Sequence, residues 1–354
     1  MVGISLLTLV PGVVGGSETY ARALTRALAG VGELDYVVFA PTIAPDAAGG
    51  LPAETPTTYR ASLTAPGRFA AVARATLLPE KLRRELGIGR LAALHYPLTV
   101  PVPSAKVPTA VTVHDLQHLA FPHFFSRPER LYRRYAYDRA ANRAGLVIAP
   151  SEFVAGTLVE RLGLARGRVR VIHHGIDHER FRPDERARGN FLLYPANRWP
   201  HKNHERLLEA FALLRRERPD LRLVLVGAGH EGKRAAEAVD VRGHVSAEEL
   251  VDLYRTAAAL VFPSLYEGFG SPPLEAMACG CPVAASQAGA LPEVCGDAAR
   301  LFDPASAEAI AAGADEVLRD PEPWRREGLA RAAEFSWERS ARAHEAAYRE
   351  LGAA

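Results

Sequence analysis

Residues 262–275 read Phe-Pro-Ser-Leu-Tyr-Glu-Gly-Phe-Gly-Ser-Pro-Pro-Leu-Glu, a strand end, a glycine-bearing loop and a helix start, with carboxylates at Glu267 and Glu275. Gly268 and Gly270 free the backbone to approach a ligand. Ser271 is a natural N-cap and Pro272 suits the first helical position, which places Glu275 in the first turn. Free N–H groups at a helix start attract phosphate, whereas carboxylates repel it. Two carboxylates bracketing an anion site must therefore face hydroxyl groups beside it, and a sugar on one side with a ribose on the other meets that requirement. The ligand-free alternative is a surface cap, with Glu275 merely favoured by the helix dipole.

A second group is Asn197-Arg198-Trp199-Pro200-His201-Lys202-Asn203. A guanidinium fork and an ammonium point charge both suit phosphate oxygens. The chain has 43 basic residues but only four lysines, Lys81, Lys106, Lys202 and Lys233, so Lys202 is an exception to an arginine habit. A third group, Gly15-Gly16-Ser17, stands between a strand and a helix and can turn backbone N–H groups towards a phosphate.

Other motifs compete less well. Gly227-Ala-Gly229-His-Glu-Gly232 matches G-x-G-x-x-G, and Gly227 to Arg234 nearly matches a phosphate loop. The first lacks an acidic residue at the end of the next strand, since Asp240 comes too soon. The second has Arg234 where a metal-binding hydroxyl belongs. The simpler reading is a strand-to-helix turn whose glycines let the backbone pass close to something. His114-Asp-Leu-Gln-His118, and His173, His174, Asp177 and His178, hold metal-ligand types, but both sit at strand ends, and His114, closing a strand with Pro122 just beyond, does not share a helical face with His118. Cys279, Cys281 and Cys295 lack a second pair or a nearby histidine and read as buried packing residues. No G-x-S-x-G is present, which disfavours an α/β-hydrolase.

The elements that must position these groups alternate strand and helix. Strands are expected at Ile4–Val10, Tyr36–Ala40, Leu91–Tyr96, Thr109–Val113, Leu146–Ala149 and Val169–His173, with helices at Ser17–Leu28, Arg68–Glu85, Pro128–Asn142 and Phe153–Leu162. The polar stretch Phe181–Gly189 breaks the pattern and reads as a linker. Beyond it the alternation restarts, with Ser246-Ala-Glu-Glu249 forming a capping box. The expectation is an α/β chain of two doubly wound domains, residues 1–183 and 190–335, with 336–354 a closing helix that packs back on the first domain. Ligands of such sheets bind outside the carboxyl ends of the strands, so two facing domains would share a cleft.

Composition sets outer limits. The chain has 354 residues, 48% of them hydrophobic and 24% charged, with a net charge of +2. This excludes disorder and a disulfide scaffold, and it is too balanced for nucleic acid as the main partner. The apolar start, Met1–Val14, lacks a positive leader and is interrupted by Pro11-Gly12, so a cytoplasmic chain is expected.

Taken together, these residues resemble the retaining GT-B glycosyltransferases of the family 4 group, over nearly the whole chain. The likeness rests on Glu267-x7-Glu275, on Arg198…Lys202-Asn203, on Ala149-Pro-Ser151-Glu-Phe, on Val171-Ile-His-His174-Gly-Ile-Asp177, where the family usually has Asn for His174, and on Phe335-Ser-Trp337. The resemblance implies two Rossmann-like domains and a hexosyltransferase. Arg198 and Lys202 would hold the donor diphosphate, with Gly15 and Gly16 at the phosphates. Glu275 would bind the ribose and Glu267 the donor sugar. His114 would touch the sugar near the anomeric centre. Gly227 and the Arg242-Gly243-His244 turn would lie near the base, and Gly268, Phe269, Gly270, Ser271 and Leu274 would complete the donor site.

No D-x-D metal signature is present, and two cations with a helix N-terminus can stabilise a departing diphosphate, so no metal or cofactor is expected. Retention without an evident nucleophile suggests front-face attack. Pro272-Pro273, His114-Asp-Leu-Gln-His118 and Phe121-Pro-His-Phe-Phe125 resemble the mannosyltransferase-like branch, which favours GDP-mannose, with UDP-sugars as the alternative donors. The acceptor would be a glycan, a lipid-linked or a small molecule. A nucleotide-sugar epimerase and a non-catalytic binding protein are the rival readings. Arg68–Arg90 and Arg127–Arg143 each carry six basic and two acidic residues, so peripheral contact with an anionic membrane competes with a solvated helix face.

Overall fold

The computed structural model describes residues 1–13, 15–229 and 237–352. The chain forms two compact units, Met1–Gly175 with Trp337–Ala354, and Ile176–Ser336.

The first unit holds β1 (Val2–Ser5), β2 (Tyr36–Phe39), β3 (Ala53–Glu54), β4 (Ala93–Tyr96), β5 (Thr109–Thr112), β6 (Leu146–Ala149) and β7 (Val169–Val171). They form one parallel sheet in the order β3-β2-β1-β4-β5-β6-β7. β1, β2, β4 and β6 are buried throughout, as expected for strands covered by helices on both faces. Successive side chains alternate between two cores. Phe39, Leu94, Val111 and Val147 fill one. Ile4, Val38, Ala110 and Ile148 fill the other, together with Ala341 and Tyr348 of the closing helix Trp337–Glu350.

The second unit holds β8 (Phe191–Pro195), β9 (Arg222–Val226), β10 (Val239–Val241), β11 (Ala259–Phe262), β12 (Val283–Ser286) and β13 (Arg300–Phe302). Their order is β10-β9-β8-β11-β12-β13, again all parallel. After β8 the chain winds towards β9, and after β11 towards β12. The loops leaving β8 and β11 therefore flank a topological switch point, where such sheets accept ligands.

Several expectations need correction. The stretch Arg68–Glu85 is two helices, Ala65–Leu77 and Pro79–Glu85, because Pro79 cannot continue the first. Pro128–Asn142 is interrupted by a π-turn at Arg134–Asp138. β3, β10 and β13 span two or three residues each, too short to show a period. Ser246 caps its helix through Glu249 N–H, but the Glu249 carboxylate pairs with Arg242 at 3.3 Å, so the capping box is half made. Phe181–Gly189 lies inside the second unit. Phe181 is buried against Tyr254, with ring centroids 6.1 Å apart, and the Arg188 guanidinium donates to the carbonyls of Tyr254 and Ala257 at 3.2 and 2.8 Å. The units divide instead at Gly175–Ile176, where Ile176 pairs with Ser336.

The closing helix is held in the first unit by a buried polar chain whose proton order can be deduced. The Ser340 carbonyl can only accept, so His344 Nδ1 donates to it at 2.8 Å and His344 Nε2 accepts from the Tyr20 hydroxyl at 2.7 Å. Tyr20 oxygen then accepts from Thr112 at 2.9 Å, and Thr112 oxygen accepts from His95 Nε2 at 2.8 Å. His95 Nδ1 is left to accept from Tyr348 at 2.8 Å. Every member is satisfied, which is the condition for a buried polar network to stabilise. Burial, with mutual repulsion, holds His95 and His174 well below the usual histidine value, and burial pushes His344 down to about 4.

The stability these neutral histidines contribute is present above the ordinary value near pH 6.5 and is lost as pH falls below it, because the unfolded chain binds the extra protons. For His344 alone the loss amounts to about 2 kcal/mol at pH 5. The unfolding transition of the first unit should move down between pH 7 and pH 5, measured by calorimetry. A midpoint that stays level over that interval would contradict the neutral assignment.

Candidate active site

The loop leaving β8 is stitched to the loop leaving β11. Leu265 N–H donates to the His201 carbonyl at 2.8 Å. Asn203, in the left-handed region at φ 59°, donates from Nδ2 to the carbonyls of Pro263 and Pro304 at 3.1 and 2.8 Å. The Tyr194 hydroxyl donates to the Lys202 carbonyl at 2.5 Å. With the backbone so fixed, Lys202 Nζ reaches Glu267 Oε1 at 2.6 Å, each side chain only 13% exposed, and sits 5.3 Å from the centre of the Phe262 ring. Arg198 lies at the start of the same loop, its N–H on the Ala228 carbonyl at 2.9 Å. Among the described residues none hydrogen-bonds or ion-pairs with its guanidinium.

Glu275 stands on the helix Ser271–Ala278. The Tyr254 hydroxyl donates to Glu275 Oε2 at 2.9 Å. Burial pushes the carboxyl upward, opposed by this hydrogen bond and by the charge of Arg180. Tyr254 and Arg180 were not singled out in the sequence; they lie 21 and 95 residues before Glu275, and no local pattern links them to it.

The helix start differs from expectation. Gly270, at φ 102°, is the N-cap, so Ser271 is the first helical residue and Glu275 lies beyond the first turn. A side chain at Gly270 would meet Leu291 at 2.5 Å. Pro272 and Pro273 carry no N–H, so the donors at this helix end come from Gly270 and Ser271. Phe269 and Leu274 are buried, and the Phe269 ring packs 6.0 Å from Phe335; their side chains serve the core and leave only backbone for a ligand. Gly268 is partly exposed in the same loop.

Gly227 does permit a close backbone approach, but to the chain itself. A Cβ there would fall 2.7 Å from the Ala196 carbonyl carbon and oxygen. Its N–H donates to the Gly243 carbonyl at 2.7 Å, which holds the Arg242-Gly243-His244 turn at the end of β9. Arg242 is held by Asp240 at 3.0 Å as well as by Glu249. The remainder of the glycine-rich motif, from His230 to Arg234, lies outside the described residues.

In the first unit, Gly15 is the N-cap of the helix Gly16–Val31 at φ 55°, and side chains added at Gly15 or Gly16 would meet nothing within 4 Å. His114 Nε2 donates to the Pro97 carbonyl at 2.8 Å, and burial lowers its affinity for a second proton. The neutral ring therefore offers Nδ1 as an acceptor. His174, where the family usually has Asn, stacks between Tyr20 and Trp337 at 4.7 and 5.9 Å. His178 Nε2 donates to the Phe335 carbonyl at 2.9 Å. Among the described residues no three His, Cys, Asp or Glu side chains converge as a metal site would need. Burial pushes Cys279 up to about 12 and Cys281 up to about 11, which keeps both as thiols.

The glycine with most influence on the pair is Gly289, unnoticed in the sequence. At φ 64°, its Cβ would come within 2.6 Å of the Glu267 carbonyl oxygen and 2.7 Å of its nitrogen. Gly289→Ala should cost at least about 2 kcal/mol, from the strained φ and the backbone clash together, and should displace Glu267. Urea denaturation checks the first effect; a stability equal to wild type would show that the contact is relieved freely.

Residues 175–334 match the family described as glycosyl transferases group 1, and residues 14–180 match Glycosyltransferase Family 4. The chain is 32% identical to O-antigen chain mannosyltransferase B of Escherichia coli over 64% of this chain and 66% of that relative. It is 33% identical to the MMP alpha-(1->4)-mannosyltransferase of Mycolicibacterium hassiacum over 71% of this chain and 65% of the relative. These matches span just under two thirds of either relative's length. In structure it resembles sucrose-phosphate synthase of Thermosynechococcus elongatus, with a TM-score of 0.79, 21% identity and 99% of both chains covered. It also resembles the Anabaena protein HepE in complex with UDP and glucose, with a TM-score of 0.73, 18% identity and 99% of both chains covered. These likenesses show the fold, two Rossmann-like units of the GT-B type. With both halves matched in sequence and the fold matched throughout, the chain belongs to the family 4 GT-B glycosyltransferases.

Proposed function

We propose that this chain transfers a hexosyl group, favoured as mannose from GDP-mannose, to a hydroxyl of a glycan, lipid-linked or small-molecule acceptor, with retention and without a metal. The observation that carries the reading is the Lys202–Glu267 pair at the switch point of the second sheet. An ammonium already desolvated and oriented strengthens as negative charge builds on a leaving diphosphate, and this is where electrostatic catalysis gains most. Arg198 adds a second cation. When a diphosphate takes hold of Lys202, Glu267 is freed to accept hydrogen bonds from the donor sugar, and Glu275, held by Tyr254, accepts from the ribose.

In the front-face course the C1–O bond to the diphosphate breaks and the acceptor oxygen bonds C1 from the same side. The acceptor proton passes to the departing phosphate oxygen, so no protein base is required. His114 Nδ1 suits a sugar hydroxyl, and the open backbone at Gly15 and Gly16 suits phosphate. Mannose is supported by the names of the two mannosyltransferase relatives. A UDP-sugar is the second reading, supported by the UDP and glucose held by the Anabaena protein.

A thermal-shift panel of GDP-, UDP-, ADP- and dTDP-sugars identifies the donor: GDP-mannose should give the largest rise, and a larger rise with UDP-glucose would replace it. Lys202→Ala should lower kcat by at least ~100-fold, whereas Glu275→Ala should chiefly raise the donor Kd, by ~10- to 100-fold for a lost charged hydrogen bond. Full turnover by Lys202→Ala would refute its role. Activity should survive EDTA; loss on chelation, restored by a divalent ion, would overturn the metal-free course.

A further inference from the structure

Among the described residues, the large apolar and aromatic side chains left exposed are Met1, Val13 and Trp199, and otherwise all belong to two stretches of the first unit. One runs through the helix Ala65–Leu77 and bears Leu63, Phe69, Leu77 and Leu78; the other is the helix Arg127–Arg133 with the π-turn after it and bears Leu131 and Tyr135. Phe69 and Leu77 are two turns apart on the outward side, 66% and 78% exposed, while Val72 and Ala75 of the same helix pack inward on the core. Both stretches flank Tyr59, which sits in that core cluster and feels Tyr132. Apolar groups concentrated in this way mark an interaction face.

The charges around them are mainly basic, and Glu80, the carboxylate nearest Leu78 in sequence, is paired with Arg83 at 2.7 Å. From Thr55 to Pro79 the chain carries Arg60, Arg68 and Arg74 and no carboxylate. In Arg127–Arg143 the two carboxylates are engaged locally. Glu129 accepts from Ser126 N–H and Oγ at 2.9 and 2.7 Å, and Asp138 lies 3.5 Å from the buried His118. Leucine and aromatic side chains set among unopposed arginines match the boundary of an anionic bilayer, where apolar groups enter the acyl layer and cations meet phosphates. No helix among the described residues is long and apolar enough to cross a membrane, so contact of this kind is peripheral. We propose that this face of the first unit docks on an anionic lipid bilayer, with Phe69, Leu77 and Leu78 as the inserting residues and Arg74 and Arg134 among the phosphate-facing cations.

The test is co-sedimentation of the full chain with phosphatidylcholine vesicles, with and without about 30 mol% phosphatidylglycerol, at low salt. Wild type should partition at least ~10-fold better onto the anionic vesicles, given about fivefold per arginine at the surface. Phe69→Ser/Leu77→Ser/Leu78→Ser should lower binding at least ~10-fold with an unchanged unfolding midpoint, since these side chains are exposed. Arg74→Gln/Arg134→Gln should remove most of the preference for phosphatidylglycerol. Leu131→Ser/Tyr135→Ser, in the other stretch, gives a second apolar probe should the triple variant fold poorly. Absence of wild-type binding, or binding unaltered in the apolar variants, would overturn the proposal. So would a wild-type dimer that the triple serine variant turns into a monomer, because the face would then belong to a second copy. Turnover with a water-soluble acceptor, unaffected by these substitutions, keeps the outcome separate from the catalytic reading.

Discussion

The ion pair between Lys202 and Glu267 ties the loop leaving β8 to the loop leaving β11 in the second unit. A lysine and a glutamate largely withdrawn from water would be costly if either stood alone. Their pairing at 2.6 Å therefore demands that the loops leaving β8 and β11 hold register, and the surrounding bonds of Tyr194, Asn203 and Leu265 supply that register. Gly289 completes it from the loop leaving β12, because only a residue without a side chain lets Glu267 lie so close to the backbone there.

Lysine and arginine do different work in this chain. Arginine forks close irregular backbone: Arg188 satisfies the carbonyls of Tyr254 and Ala257, and Arg331 those of Glu293 and Val294. Such positions reward a planar group with several donors. Lys202 occupies a narrow position against the Phe262 ring, where a single compact charge meets one carboxylate oxygen. An otherwise arginine-rich composition thus makes the retained lysine a structural signal.

The first unit depends on a different economy. Its closing helix is separated from the rest of the unit by more than 160 residues of sequence, yet His344 and Tyr348 complete a hydrogen-bonded line that begins in β4 and β5. Glu345 extends the attachment by accepting from the N–H groups of Glu33 and Leu34 and from the Tyr36 hydroxyl. The rings and hydroxyls of that line are neutral, and the Glu345 carboxylate beside them is compensated by these donors and by Arg349 at 2.8 Å.

The sequence by itself determined the class of fold and singled out the loops leaving β8 and β11 as candidates for a ligand site. Apolar runs of four or five residues alternating with helical periods are dictated by burial on both sheet faces, and they survive in any context. Glu267, Glu275, Arg198 and Lys202 were legible because their chemistry is unusual beside glycine, proline and strand ends. Only the tertiary structure decided which groups meet. Lys202 and Glu267 lie 65 residues apart, and their contact follows from the strand order that sets β8 beside β11. Tyr254 on Glu275, Gly289 under Glu267 and the inward course of Phe181–Gly189 are likewise products of packing. Helix entry at Gly270 instead of Ser271 was settled by a left-handed glycine seated against Leu291, and local propensity cannot foresee a contact with a residue twenty-one positions away.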